Sequence, residues 1–194
     1  YRTTPTRSRR GQGLQQQPSA HERFEPMSTF YAQPYDISAR GFFFESAEEW
    51  AELSAKAVNR YGFPVEEFEI QFIDGESIDA ALADALDVHQ GNVAYFFERE
   101  VEWDEHQKRV AIIAGGECGY SLDLECCDPD SFDVDIYELD TMRELAQQFV
   151  DDGLFGDIPE HLANYIDYEA IARDLAMEYG QTCIARTRLI YRCG

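Results

Sequence analysis

The chain has 194 residues, enough for one or two ordinary domains or several small ones, and its 44% hydrophobic and 13% aromatic content can build a packed core. Against 16 Lys and Arg stand 38 Asp and Glu, a net charge of −22 with a pI near 4.3. A protein that grips a phosphate backbone needs a basic footprint, so direct nucleic-acid binding is excluded and attachment to an anionic membrane surface is disfavoured.

The charge is uneven. Residues 1–26 hold Arg2, Arg7, Arg9, Arg10 and Arg23 against Glu22 and Glu25. Their Gln, Arg, Pro and Ser cannot offset the entropy of ordering, so we read a disordered or artificially appended basic arm, with Met27 as the natural start. Setting aside those five bases and two acids leaves 36 acids and 11 bases in residues 27–194, a net −25. No apolar run approaches the ~18 residues of a membrane span. The start also lacks the apolar stretch of a secretory signal. Cys118, Cys126, Cys127, Cys183 and Cys193 are odd in number and lack zinc-type pairing, which predicts reduced thiols in a cytoplasmic protein.

In chain order, two β-rich runs open the folded part, residues 28–33 and 41–45, with turn-prone residues around Pro34 and Ser38 between them. Ser46 and Glu49 form a capping box for a helix through Trp50, Leu53, Ala57 and Tyr61, stopped by Gly62 and Pro64. Phe68, Ile70 and Phe72 alternate with Glu67, Glu69 and Gln71, as a strand with one wet face requires. These elements make an α+β domain over 27–75.

A middle domain is expected over 76–131. Ser77 caps a helix through Ile78, Leu82 and Leu86 to His89, stopped by Gly91. Residues 94–103 fit either periodicity and lean to extended on their Val, Tyr and Trp. RVAIIA at 109–114 reads as a short buried strand, which SLDLE at 121–125 pairs with. The last domain, 132–194, begins with a strand over 132–138. Asp140 then caps a helix facing inward with Met142, Leu145, Ala146 and Phe149, ended by Gly153. Pro159 starts a further helix. Asp167 caps another, running to Gly180, and residues 183–192 form a closing strand.

Motifs for chemistry are sparse. His89, His106 and His161 stand alone, and neither a nucleophile elbow nor a phosphate-cradling glycine loop is present. Cys126 and Cys127 read as ordinary small residues rather than metal ligands with Cys118 or His106. Asp128, Asp130, Asp133 and Asp135 resemble a calcium loop in spacing, but the sixth position is Asp133 instead of Gly and the twelfth is Leu139 instead of Glu. We therefore expect no enzyme, no metal and no cofactor.

What remains is the charge itself. All 36 acids of residues 27–194 lie between Asp36 and Glu178, interleaved with Trp, Phe, Tyr and Ile, so the carboxylates must coat a folded scaffold. Self-repulsion destabilises such a scaffold. Surface solvation or adaptation to high salt would account for it, and so would imitation of a polyanion. Duplex DNA carries one charge per ~1.7 Å, so a dimer near −50 matches roughly 85 Å of duplex, about 25 base pairs.

The stretch from Gly153 to Leu175 favours the last account. Gly156, Asp157, Ile158, Pro159, Tyr165, Asp167, Tyr168, Ala170, Arg173, Asp174 and Leu175 fall on the signature region of the ArdA antirestriction proteins, which the chain resembles. The opening from Met27 to Phe44 resembles that family's first hairpin, and residues 66–79 its acidic strand and turn. Over residues 91–131 the sequence alone gives no alignment to the family. The double cysteine and an acid-free end with Arg186, Arg188 and Arg192 depart from it.

The resemblance implies an elongated chain of about three small α+β domains with an acidic, DNA-mimic surface. It also implies a homodimeric, non-enzymatic inhibitor that fills the DNA groove of a Type I restriction–modification enzyme, or of its methyltransferase core, to protect incoming mobile DNA. The acids assigned to phosphate positions are Glu67, Glu69, Asp74, Glu98, Glu100, Glu102, Asp133, Asp135, Glu138, Asp151, Asp152, Asp157, Glu160 and Asp167. Leu154, Phe155, Ile158 and Leu162 are assigned to a dimer interface, with core packing as the alternative. Arg173 and Asp174 are expected as a buried or half-buried ion pair. The alternative function is an acidic, chaperone-like module binding a basic protein such as a nucleoid component.

Overall fold

Strand alternation sets the first sheet. In the computed structural model, which describes residues 27–194, β1 (Thr29–Pro34) buries Phe30, Ala32 and Pro34. The reading of residues 1–26 lies outside the described residues. β1 is the centre of an antiparallel sheet between β2 (Phe42–Phe44) and β3 (Phe68–Asp74). Phe30 pairs with Phe44 on one side and Phe72 on the other.

Between β2 and β3 lies α1 (Ala47–Lys56), capped by Ser46, whose hydroxyl accepts the Glu49 N–H at 3.1 Å. The box is only half formed, because the Glu49 carboxylate accepts the N–H of Glu45, not that of Ser46. The helix also stops short of Tyr61. Asn59 Oδ1 accepts the N–H of Tyr61 and of Phe63 at 3.0 Å each, holding residues 57–64 in a loop that a helix would break.

The middle departs most from expectation. It is three α-helices, α2 (Ser77–Ala85), α3 (Val93–Glu102) and α4 (Glu105–Gly116), and a 3-10 turn at Pro129–Ser131, with no strand. Glu76, not Ser77, is the cap residue of α2. α2 ends near Asp87, not at Gly91. Asp87 takes a left-handed φ of 46°, and Val88 N–H reaches back to Ala83 O, the bond of a Schellman ending. The 94–103 stretch is helical because Val93, Phe96, Phe97 and Glu100 are buried at helical spacing, and that burial outweighs the strand propensity of its Val and Tyr. RVAIIA lies inside α4, a helix buried over Lys108–Ala114 and opened by a full Asp104–Gln107 capping box. A helix apolar on all sides imitates a buried strand in sequence. Residues 121–125 are irregular, and Arg99 takes the place of a strand partner by donating to the carbonyls of Leu124 at 3.0 Å and Glu125 at 2.9 Å.

The second sheet has the order β4-β6-β5, from β4 (Val134–Tyr137), β5 (Gly180–Ile184) and β6 (Thr187–Cys193). The expected single closing strand is thus a hairpin, turned at Ala185 and Arg186 with φ of 50° and 70°. α5 (Met142–Asp151) buries Leu145, Ala146 and Phe149 as expected, but Thr141, not Asp140, caps it. The helix after Pro159 is 3-10 over Glu160–Tyr165, with Pro159 just before it. Asp167 caps α6 (Tyr168–Leu175), which ends five residues before Gly180. The class is α+β with antiparallel sheets.

One buried cluster runs from the first sheet through α2–α4 to Leu124, Ile184 and Leu189. At its centre Phe30 meets Phe44, Phe72, Phe96 and Phe97 with ring centroids 5.2–5.7 Å apart. A second, smaller core gathers Leu145, Phe149, Tyr179 and Ile190. Among the described residues, no helix is long and apolar enough to cross a membrane. The expectation of five reduced thiols is corrected. Cys118, just past α4, and Cys193, at the end of β6, are brought together into a disulfide with Cα atoms 6.2 Å apart. Cys126, Cys127 and Cys183 remain free. Thiol titration of the unfolded, unreduced protein should count three thiols, and after reduction five; five before reduction would show the pair open.

Candidate functional site

The assigned acids fall into three groups. Glu67, Glu69, Asp74, Glu98, Asp133, Asp151, Asp152, Asp157, Glu160 and Asp167 are exposed, and no ion pair among the described residues engages them. They sit just before and along β3, on the solvent side of α3, before β4, and through the segment from the end of α5 to α6. Asp167 has a local task as well, accepting the Ala170 N–H at 3.0 Å as the α6 cap. A second group is matched by arginine: Glu102 by Arg99, Glu138 by Arg109, and Asp135 by Arg192 at 2.7 Å.

Glu100 stands apart and is a correction. It occupies the buried face of α3 beside Phe96 and Phe97 and is only 8% exposed, because position i+7 from Val93 points inward. Its Oε1 accepts the Ser28 N–H at 2.9 Å and the Ser28 hydroxyl at 2.5 Å, while Oε2 has no partner among the described residues. Nearby, Lys108 donates to Asp79 at 2.6 Å, and Arg109 donates to Glu105 and Glu138. Of the two buried carboxylates, Asp79 thus holds the buried ammonium, and Glu100 holds only the Ser28 donors. The sequence held a faint signal of this group: Lys108 and Arg109, two of the few bases, stand next to the apolar run VAIIA.

Burial pushes the Glu100 carboxyl above its ordinary range, the Ser28 bonds and Lys108 pull it down, and Asp79 pushes it up. An acid whose folded pKa is raised favours the fold below its unfolded pKa of 4.5, and that contribution is lost as pH rises through the folded value. Between about pH 4.5 and neutrality, the wild type should therefore lose stability relative to Glu100→Gln in urea unfolding. A difference that stays constant with pH would show the carboxyl to be unperturbed.

The segment after α5 is built to protrude. Gly153 (φ 76°) closes a Schellman ending in which Leu154 N–H bonds Phe149 O at 3.0 Å, and Gly156 (φ 86°) turns the chain again. Between them Leu154 is 61% and Phe155 53% exposed, with Leu162 at 46% and Ile158 half-buried. Core packing is therefore not the role of Leu154, Phe155 or Leu162. Tyr165, which the sequence marked only as part of the signature, and Met177, which it did not mark, are exposed as well. Arg173 and Asp174 are both exposed, and the ion pairs among the described residues do not include them, which corrects the expected buried pair. At α6 it is Arg143 of α5 that pairs with Glu169, at 2.9 Å.

Among the described residues, no group of three or more His, Cys, Asp or Glu is placed to hold a metal ion. A family model described as antirestriction protein (ArdA) matches residues 43–186, a span that takes in every assigned acid and the protruding segment. No curated protein gives a significant match.

Proposed function

The chain belongs to the ArdA antirestriction protein family, and from that premise we propose that it inhibits Type I restriction–modification enzymes by standing in for duplex DNA. The observation that carries this reading is the set of exposed acids from Glu67 to Asp167 that no basic side chain among the described residues neutralises. Carboxylates left free in this way meet the basic groove of the target, or of its methyltransferase core, where DNA phosphates would exchange counterions. The inhibition is by occupancy and needs no turnover, metal or cofactor. It acts in the cytoplasm, where incoming DNA meets the restriction enzyme.

A purified Type I enzyme should cut unmethylated plasmid more slowly with excess protein present, and added salt should restore cutting. Single neutralisations such as Glu98→Gln should change affinity by less than ~1 kcal/mol, because each exposed charge contributes little alone. Neutralising blocks of exposed acids should weaken inhibition progressively and flatten its salt dependence. An unchanged cutting rate with the wild-type protein refutes the proposal.

The target lies along a duplex longer than one subunit's charge can imitate, so the working form is a homodimer. Leu154, Phe155, Ile158 and Leu162 form its interface, where the run from Gly153 to Ile158 is interrupted by one acid, Asp157. Phe155→Asp should sediment as a monomer that keeps the wild-type circular dichroism spectrum. A variant that stays dimeric places the interface elsewhere.

A further inference from the structure

Two loops beside the first sheet display large apolar side chains. Residues 35–41 join β1 to β2 and carry Tyr35 and Ile37, and residues 57–64 follow α1 and carry Val58, Tyr61 and Phe63. Ile37 is 100% exposed and the other four are exposed by 54% to 66%. Single exposed apolar residues are ordinary, but a group of them on neighbouring loops marks a contact surface. The loops are fastened to each other. Arg60 N–H donates to Ser38 O at 3.2 Å, and Asn59 Nδ2 donates to Asp36 Oδ2 at 2.9 Å. Asn59 Oδ1 holds Tyr61 and Phe63 through their N–H groups, so one asparagine braces both loops and the display is set before a partner arrives.

Their charge runs against the rest of the molecule. In a chain of 38 acids and 16 bases, these loops hold Arg40 and Arg60 against a single acid, Asp36. Asp36 is spent locally, accepting the Ser38 N–H at 2.8 Å and the Ser38 hydroxyl at 2.7 Å besides Asn59. No ion pair among the described residues engages Arg40 or Arg60. Arg60 lies over the Tyr61 ring instead, 4.7 Å from its centroid. Exposed Tyr, Phe and Arg together have the composition of an interface centre.

Charge selects the occupant. A second copy meeting these loops about a two-fold axis would add its own Arg40 and Arg60 to the pair already there. Residues 1–26, with five arginines against two glutamates, carry the same sign. The phosphate groove of a restriction enzyme is basic too, and an anionic bilayer repels the chain as a whole. What complements the loops is a protein surface that is apolar at its centre and acidic at its rim.

We propose that the loops dock on such a surface of the restriction enzyme, outside its basic groove, with Ile37 and Phe63 as apolar anchors and Arg40 facing a carboxylate. The identity of the occupant rests on the antirestriction reading. Acids then fill the groove while the loops grip the enzyme beside it. The first contact is a sum of charges that salt screens, and the second is apolar burial that sodium chloride leaves nearly intact.

The experiment measures the affinity of the full chain for the purified methyltransferase core at low and at high sodium chloride. The double variant Ile37→Ser with Phe63→Ser should bind about tenfold more weakly at both, with the salt dependence of the wild type. Both side chains are exposed, so its melting temperature and circular dichroism spectrum should match the wild type and show it folded. Arg40→Glu separates this contact from mimicry by sign. An added acid should strengthen a decoy that works by negative charge alone, whereas at this surface it should weaken binding about threefold at low salt.

Wild-type affinity in the double variant, or a loss that vanishes at high salt, overturns the docking and leaves the antirestriction reading standing. Unchanged or tighter binding by Arg40→Glu overturns the acidic rim and the docking with it. If the double variant alters the sedimentation of the free protein, the loops join copies of this chain and the assignment to the enzyme falls. If the wild type forms no complex at all, the antirestriction reading fails and takes the docking with it.

Discussion

Carboxylates spread over every α-helix and over β3 and β4 push this chain apart at neutral pH, and the fold exists only where apolar contact outweighs that push. The strongest such contact is the aromatic knot around Phe30. Aromatic pairs of this kind add about 0.5–1.5 kcal/mol each beyond the area they bury. Phe44 and Phe72 come from the strands on either side of β1, and Phe96 and Phe97 from α3, so one ring ties the sheet to the helices. The second core is smaller and leans on Tyr137, Phe149 and Tyr179 in edge-to-face contact.

The scarce bases serve the same end. Arg99 binds α3 to the loop at 124–125, and Lys108 joins α4 to α2 through Asp79. Arg109 links α4 to the end of β4, Arg143 links α5 to α6, and Arg192 links β6 to β4. Most of these pairs cross a seam between elements. Bases held at seams are unavailable to neutralise the outward acids, and so cohesion inside and unpaired charge outside arise from one allocation.

The sequence was most legible where periodicity and capping agreed. The first sheet, the core face of α5, the Asp167 cap and the exposure of most assigned acids could all be read from alternation and spacing. It misled where a residue did the work of another type. Asp87 ended α2 in a conformation that glycine usually takes, and Ala185 and Arg186 made a hairpin turn that normally shows Asn or Gly. α4 lost its helical signature because almost every side is buried. Glu100 was counted with the surface acids because its residue type says solvent, while its position on α3 says core. A cleft lined by Ser77, Val101, Glu105 and Ala185 joins α2, α3, α4 and a distant turn, and no local pattern could announce it.

The two sheets differ in when their central strand is made. β1 is the middle of the first sheet and precedes both neighbours, so each partner docks as it is synthesised. In the second sheet the middle strand is β6, and β4 must wait through α5, α6 and β5 before anything pairs with it. During that interval on the ribosome, Val134 and Ile136 present a bare strand edge of the sort that recruits neighbouring nascent chains. Asp133 and Asp135 stand beside those residues and act as gatekeepers. The charge that coats the finished protein thus also protects the unfinished one, keeping copies on a crowded polysome from pairing with each other.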